Sequence, residues 1–200
     1  MENPRNISAF MKTLENLLLD QLAEMYGAEQ EIARGLSRMA RLASNPELQK
    51  ALKAHSYESV GHIAKVARIF ECFGEPTAEM KGSAIGGLLA EAEALVVQHE
   101  KSPANDAAII TAAQKLEHFE IATYSCLRDW AMVLNNHEAA MFLEEILDEE
   151  KAGDHKLTDL AHIRNMDGLG DVEWHRETVS GEEEALAHHG NGHGAWHHCS

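Results

Sequence analysis

Two runs of helical periodicity, each broken by the same kind of turn, lie 91 residues apart in this chain and restrict it to a narrow set of folds. From about residue 8 to 43 apolar residues recur at helical spacing, with Leu18, Leu22, Met25, Ile32, Leu36 and Met39 on one face. The stretch Ser44-Asn45-Pro46-Glu47 then stops that helix and starts another, with Ser44 or Asn45 as the cap and Pro46 in the first turn. A second helix is expected to run to about Phe73, where Gly74 and Pro76 end it. Displaced by 91 positions, Leu36 falls on Leu127, Asn45 on Asn136, Glu47 on Glu138 and Leu52 on Leu143, without a gap. The second pair of helices is therefore expected over about 104–134 and 137–163. Residues 74–103 make a long connection rich in helix breakers, inside which LLAEAEALVVQHE has the pattern of a short helix. No stretch alternates with the two-residue period of a strand. The expected fold is all-α, a ferritin-like four-helix bundle of two hairpins with a long crossover between the second and third bundle helices.

The same displacement carries carboxylates. Glu29 falls on Glu120 and Glu58 on Glu149, so each bundle helix offers one glutamate at a matched height. Glu29 continues the stripe Leu22, Met25, Ile32, Leu36, and Glu120 continues Ala113, Glu117, Tyr124, Leu127. On the second helix the series reads Leu48, Leu52, His55, Glu58, His62, Val66, Ile69; on the fourth, Phe142, Ile146, Glu149, Gly153, Leu157, Leu160. This reading turns all four glutamates inward. An isolated ionised carboxylate in a dry core costs several kcal/mol even after relaxation, and like charges add to it. Lys115 and Lys151 lie off the stripe by helical phase, so pairing with them is a poor solution. Two divalent ions bring four positive charges to four carboxylates, and hard oxygen donors with some imidazole suit iron or manganese better than structural zinc.

The runs YGAEQEI, LKAHSYESVGHI, DAAIITAAQKLEHFEIATY and LEEILDEEKAGDHKLTDLA resemble the YciE/YciF-type ferritin-like stress proteins, over about residues 8–163. The resemblance implies a bacterial cytoplasmic protein, a homodimer linked to stress responses, with a dimetal carboxylate site. Carried over by position, it places Glu29, Glu58, Glu120 and Glu149 in the metal shell and Glu117 as a fifth carboxylate, with Glu58 and Glu149 bridging the ions by analogy. One departure stands out. Ferritin-like dimetal sites carry Glu-x-x-His on two helices, whereas Gly61 follows Glu58 and Ala152 follows Glu149 at that spacing. His55, one turn before Glu58, is the best replacement nitrogen ligand, and His62 is a weaker one. His118 is off the stripe and is read as a packing or outer residue. Tyr26 and Tyr124, one turn from Glu29 and Glu120, are placed to hydrogen-bond ligands or to pack in the core.

Composition narrows the function further. With 33 acidic against 17 basic side chains and a formal net charge of −16, the chain repels nucleic acid and anionic membranes. It has no long apolar run and no signal-like start, so a soluble cytoplasmic protein is expected. Cys72, Cys126 and Cys199 are too few and too widely spaced for a disulfide framework or a thiolate zinc site. The bundle is expected over residues 1–165. Residues 166–200, with their glutamates, glycines, histidines and Cys199, are expected to be a disordered tail with loose metal affinity or incidental histidines. The leading reading is a dimetal protein handling oxidants, dioxygen or peroxide, through peroxidase- or ferroxidase-like chemistry. The alternative is a non-enzymatic dimeric stress protein with a structural or vestigial metal site, and iron storage in a larger cage is a third.

Overall fold

The structure, a computed structural model, describes residues 4–80, 83–100 and 102–168. Five helices follow one another: α1 (Pro4–Leu42), α2 (Pro46–Cys72), α3 (Ser83–His99), α4 (Asn105–Val133) and α5 (His137–Gly168). Among the described residues there is no strand. Helix α1 starts four residues earlier than its apolar stripe, because proline is at home in a first turn. Helix α5 continues to Gly168, three residues into the segment read as tail. The rest of that segment lies outside the described residues.

The two turns that mark the repeat work alike. Asn45 accepts hydrogen bonds at Oδ1 from the backbone N–H groups of Glu47 and Leu48, at 2.8 and 3.0 Å, and so caps α2. Its counterpart Asn136 accepts from the N–H of Ala139 at 3.2 Å and donates through Nδ2 to the carbonyl of Cys72 at 2.9 Å. The second contact ties the start of α5 to the end of α2, so these helices run antiparallel. Gly74, at φ +72°, takes the left-handed conformation that ends α2, and Asn135, at φ 58°, does the same after α4.

Helices α1, α2, α5 and α4 form a ring in which each packs on the next, and α3 lies outside it against α4 and α1. The crossover explains how. Past Gly74 the chain crosses α1 at Gly27, where the N–H of Met80 bonds to the carbonyl of Ala23 at 2.9 Å. A side chain at Gly27 would meet the carbonyl oxygen of Met80. At the far end Asp106 accepts from the N–H groups of Ser44 and Asn45 at 2.7 and 3.0 Å, which brings the start of α4 beside the start of α2. The core between the four ring helices is apolar at both ends, around Leu18, Leu22 and Leu143 and around Leu36, Leu48 and Ile109. Its middle is not.

Candidate metal centre

Six polar side chains fill that middle level. Glu29 on α1, His55 and His62 on α2, Glu117 and Glu120 on α4, and Glu150 on α5 are all buried, three of the glutamates with no exposed surface. His55 Nδ1 lies 2.7 Å from Oε1 of Glu117, and His55 Nε2 lies 3.4 Å from Oε2 of Glu150. His62 Nδ1 lies 2.9 Å from Oε1 of Glu150 and 3.5 Å from Oε1 of Glu29. Tyr124, fully buried, donates its hydroxyl to Oε1 of Glu29. Donor atoms of His55, Glu117, Glu120 and Glu150 lie within 4.8 Å of one another, as do those of Glu29, His62 and Glu150. Glu150 belongs to both groups.

The fit of this donor set to metal rests on what its atoms lack. Nine buried atoms of the six side chains have no aligned hydrogen bond: Oε2 of Glu29, Nε2 of His55, Nδ1 of His62, and both carboxylate oxygens of Glu117, Glu120 and Glu150. Buried polar atoms in proteins are almost always satisfied, and each exception calls for a cause. Close contacts such as His55 with Glu117 bring charge together at angles that leave the lone pairs unused. Four carboxylates and two imidazoles converging with free lone pairs are a donor set for hard or borderline divalent ions.

Electrostatics agrees. Burial pushes the Glu29 and Glu120 carboxyls up, and nearby Glu150 adds to both. Burial raises Glu117 to about 7, although His55 opposes it. Burial alone would lower the histidines, but Glu117 and Glu150 hold His55 at about 9, and Glu150 and Glu29 hold His62 at about 10. Glu150 resists its own burial because His62 and His55 flank it, and its carboxyl is held below the usual value. Without metal, protons held on His55 and His62 offset part of the negative charge that converges there.

Sequence expectation and structure part on two helices. Glu29, His55, Glu117 and Glu120 meet in the cluster, but Glu58 and Glu149 do not. Glu58 is exposed, and Ser59 holds the inward position in its place. Glu149 keeps 43% of its side chain exposed, accepting from Lys65 Nζ at 2.7 Å and from His62 Nε2 at 2.8 Å. The reason is helical phase: between inward residues seven apart, both the i+3 and the i+4 positions lie near the seam, and packing against the neighbouring helix chooses. Both helices take i+4 from His55 and Ile146. Glu150, absent from the sequence reading, was signalled by Leu143, Glu150 and Leu157 at seven-residue spacing. His62, the weaker nitrogen candidate, meets Glu29, Glu149 and Glu150. His118 is exposed and donates to the carbonyl of Gln114, in keeping with an outer residue. Tyr26 is half-buried against the core.

Comparison with known proteins places the chain. Protein YciF of Escherichia coli (strain K12) is 42% identical over 157 residues, spanning 78% of this chain and 94% of YciF. The crystal structure of the E. coli stress protein YciF matches with a TM-score of 0.74 at 40% identity, covering 78% of this chain and 98% of that one. YcfI from Rhodopseudomonas palustris matches with a TM-score of 0.70 at 36% identity, over 72% and 92% of the two chains. A dodecameric thioferritin, the bacterioferritin-related protein of Bacteroides fragilis, shares the fold at 18% identity, with a TM-score of 0.59 over 80% and 96%. No helix among the described residues is long and apolar enough to cross a membrane. Over residues 13–167 the chain matches the model of DUF892, a domain of unknown function, and it belongs to that family.

Proposed function

We propose that this protein holds two divalent metal ions, iron or manganese, at the middle of its bundle and uses them in oxidant or metal handling during stress. The carrying observation is the set of nine buried metal-ligating atoms on Glu29, His55, His62, Glu117, Glu120 and Glu150 that have no aligned hydrogen bond. One ion would be held by His55, Glu117, Glu120 and Glu150, the other by Glu29, His62 and Glu150, with Glu150 common to both. Bound there, such ions supply Lewis-acid and redox chemistry toward dioxygen or peroxide. The chain supplies the rest. Tyr124 holds a proton against Oε1 of Glu29, and Glu149 orients His62 from outside. The relationship to YciF supports a role in stress, and a cytoplasmic homodimer is the assembly we propose with it.

The contacts of His55 with Glu117 and of His62 with Glu150 favour a second reading, in which two imidazolium groups compensate the carboxylates and the bundle is a metal-free scaffold. Elemental analysis separates the two. The full chain, prepared without chelator and compared with the Glu120→Ala/Glu150→Ala variant, is expected to carry about two more irons or manganeses per molecule. Equal metal in both would defeat the proposed centre and leave the scaffold.

A further inference from the structure

A recess of about 260 Å³ opens between α2 and α5 and ends at the buried level. His55 and Glu117 form its inner wall, Ala152 and Gly153 one side, and Glu58 and Lys156 stand among its lining at the protein surface. Three observations give it a direction. First, neither carboxylate oxygen of Glu117, a residue 1% exposed, has an aligned hydrogen bond beside the recess, Oε1 meeting Nδ1 of His55 as an ion-pair contact at 2.7 Å. Second, Gly153 keeps the inner end open: a Cβ there would stand 3.0 Å from Nδ1 of His55 and 3.1 and 3.2 Å from the two oxygens of Glu117. Third, Glu58 has no hydrogen-bond or ion-pair partner among the described residues, whereas Glu149, also on the rim, is taken up by Lys65 and His62. A free carboxylate at the surface thus lies one helical turn from His55, on the same side of α2.

Resting on the proposed centre, we infer that this recess is the route by which divalent cations reach it, with Glu58 as the capturing ligand at the mouth and the oxygens of Glu117 as the first acceptors inside. The volume accommodates an ion that still carries its shell of roughly six waters, about 30 Å³ each in the liquid. Such an ion exchanges water for the Glu58 carboxylate, then for Glu117 and His55, without crossing an apolar layer. Lys156 sets a positive charge on the opposite rim and opposes the passage. A route for a neutral oxidant would use the same opening but would ignore both charges.

The test is the rate at which the metal-free full chain takes up cobalt(II) in a form that survives a brief chelator quench, a readout independent of catalysis and of loosely held surface metal. Glu58→Gln is expected to load roughly three- to tenfold more slowly and Lys156→Gln several-fold faster, with both effects shrinking at high salt. Ala152→Phe, a change at an exposed position that covers the mouth, is expected to slow loading at least tenfold while the final cobalt content equals that of the parent. Parent-like rates in all three variants, with normal final content, would overturn the route and leave the centre standing. Slowing in Ala152→Phe alone would overturn the capturing role of Glu58. No chelator-resistant cobalt in the parent would remove the centre and the route with it.

Discussion

Nε2 of His62 lies 2.8 Å from Oε2 of Glu149, a carboxylate at the protein surface. The next residue, Glu150, approaches the other ring nitrogen, Nδ1, from inside at 2.9 Å. One imidazole therefore separates a solvated carboxylate from a buried one, and consecutive glutamates do different work. Glu149→Gln is expected to keep the full metal capacity with affinity weakened by about ten- to a hundredfold, as for other outer partners of histidine ligands. Glu150→Gln, which alters a donor common to both groups, is expected to lose metal from both. Titration with manganese(II) under competing chelator measures the difference.

Gly153 sits where helix propensity and packing oppose each other. Alanine in place of glycine in a helix interior ordinarily stabilises by about 1 kcal/mol, but at Gly153 the new methyl presses on His55 and Glu117. Gly153→Ala is expected to destabilise the metal-free fold by about 1 kcal/mol net, within the range for overpacking. Gly61 has nothing within 4 Å of an added Cβ and serves as the control. Gly61→Ala is expected to stabilise by about 0.5–1 kcal/mol. Chemical denaturation of the two variants gives the signs directly.

Those outcomes touch on how much of this site was legible from the chain. The inward positions of Glu29, His55, Glu117 and Glu120 could be read because each continues an apolar series without ambiguity, and the turns around Asn45 and Asn136 announced the hairpins. Glu58 and Glu149 were placed inward because each fits a three-residue step in its helix's stripe and the repeat matches them to each other. A repeat, however, shows that two positions are equivalent and not that they are buried. The equivalent buried pair is Ser59 and Glu150. The pseudo-symmetry thus fails where chemistry is concentrated: His62 corresponds to Gly153 and His55 to Ile146, so α2 brings nitrogen where α5 brings space and an apolar wall. Only the packing of α2 on α5 decides between neighbours on the seam.

Proton linkage predicts how the metal-free protein responds to pH. His55 and His62 are raised from 6.5 to about 9 and 10 in the fold, and Glu117 from 4.5 to about 7. A folded-state pKa above the unfolded one means that the fold binds more protons, so stability falls as pH rises between the two values. The contribution of the histidines is complete below 6.5 and disappears through 9 and 10; that of Glu117 declines from 4.5 to 7. Glu150 acts in the opposite sense and withdraws stability as pH falls below the usual carboxylate range. Metal-free protein is expected to be most stable in mild acid and to weaken steadily toward pH 10. Thermal melts across that range check it, and a flat or rising profile above neutrality would contradict the protons held on His55 and His62. Loading with metal is expected to release protons, measurable in weakly buffered solution at pH 7.

Asp106 separates scaffold from site. It holds the N–H groups of Ser44 and Asn45 in a partly exposed turn, far from the polar level, and a hydrogen bond to a charged group contributes about 1.5–3 kcal/mol. Asp106→Ala is expected to lower stability by about 2–4 kcal/mol, two such bonds being lost and water replacing part of each. The metal content of the folded fraction is expected to stay unchanged. Denaturation curves paired with elemental analysis test both halves.

The most direct measurement is anomalous diffraction from crystals of the full chain loaded with iron or manganese, recorded on either side of the absorption edge of the metal. The account predicts two peaks inside the bundle, one among His55, Glu117, Glu120 and Glu150 and one among Glu29, His62 and Glu150. Peaks confined to the surface, or a bundle interior in which His55 and His62 still pair with Glu117 and Glu150 at saturating metal, would contradict it.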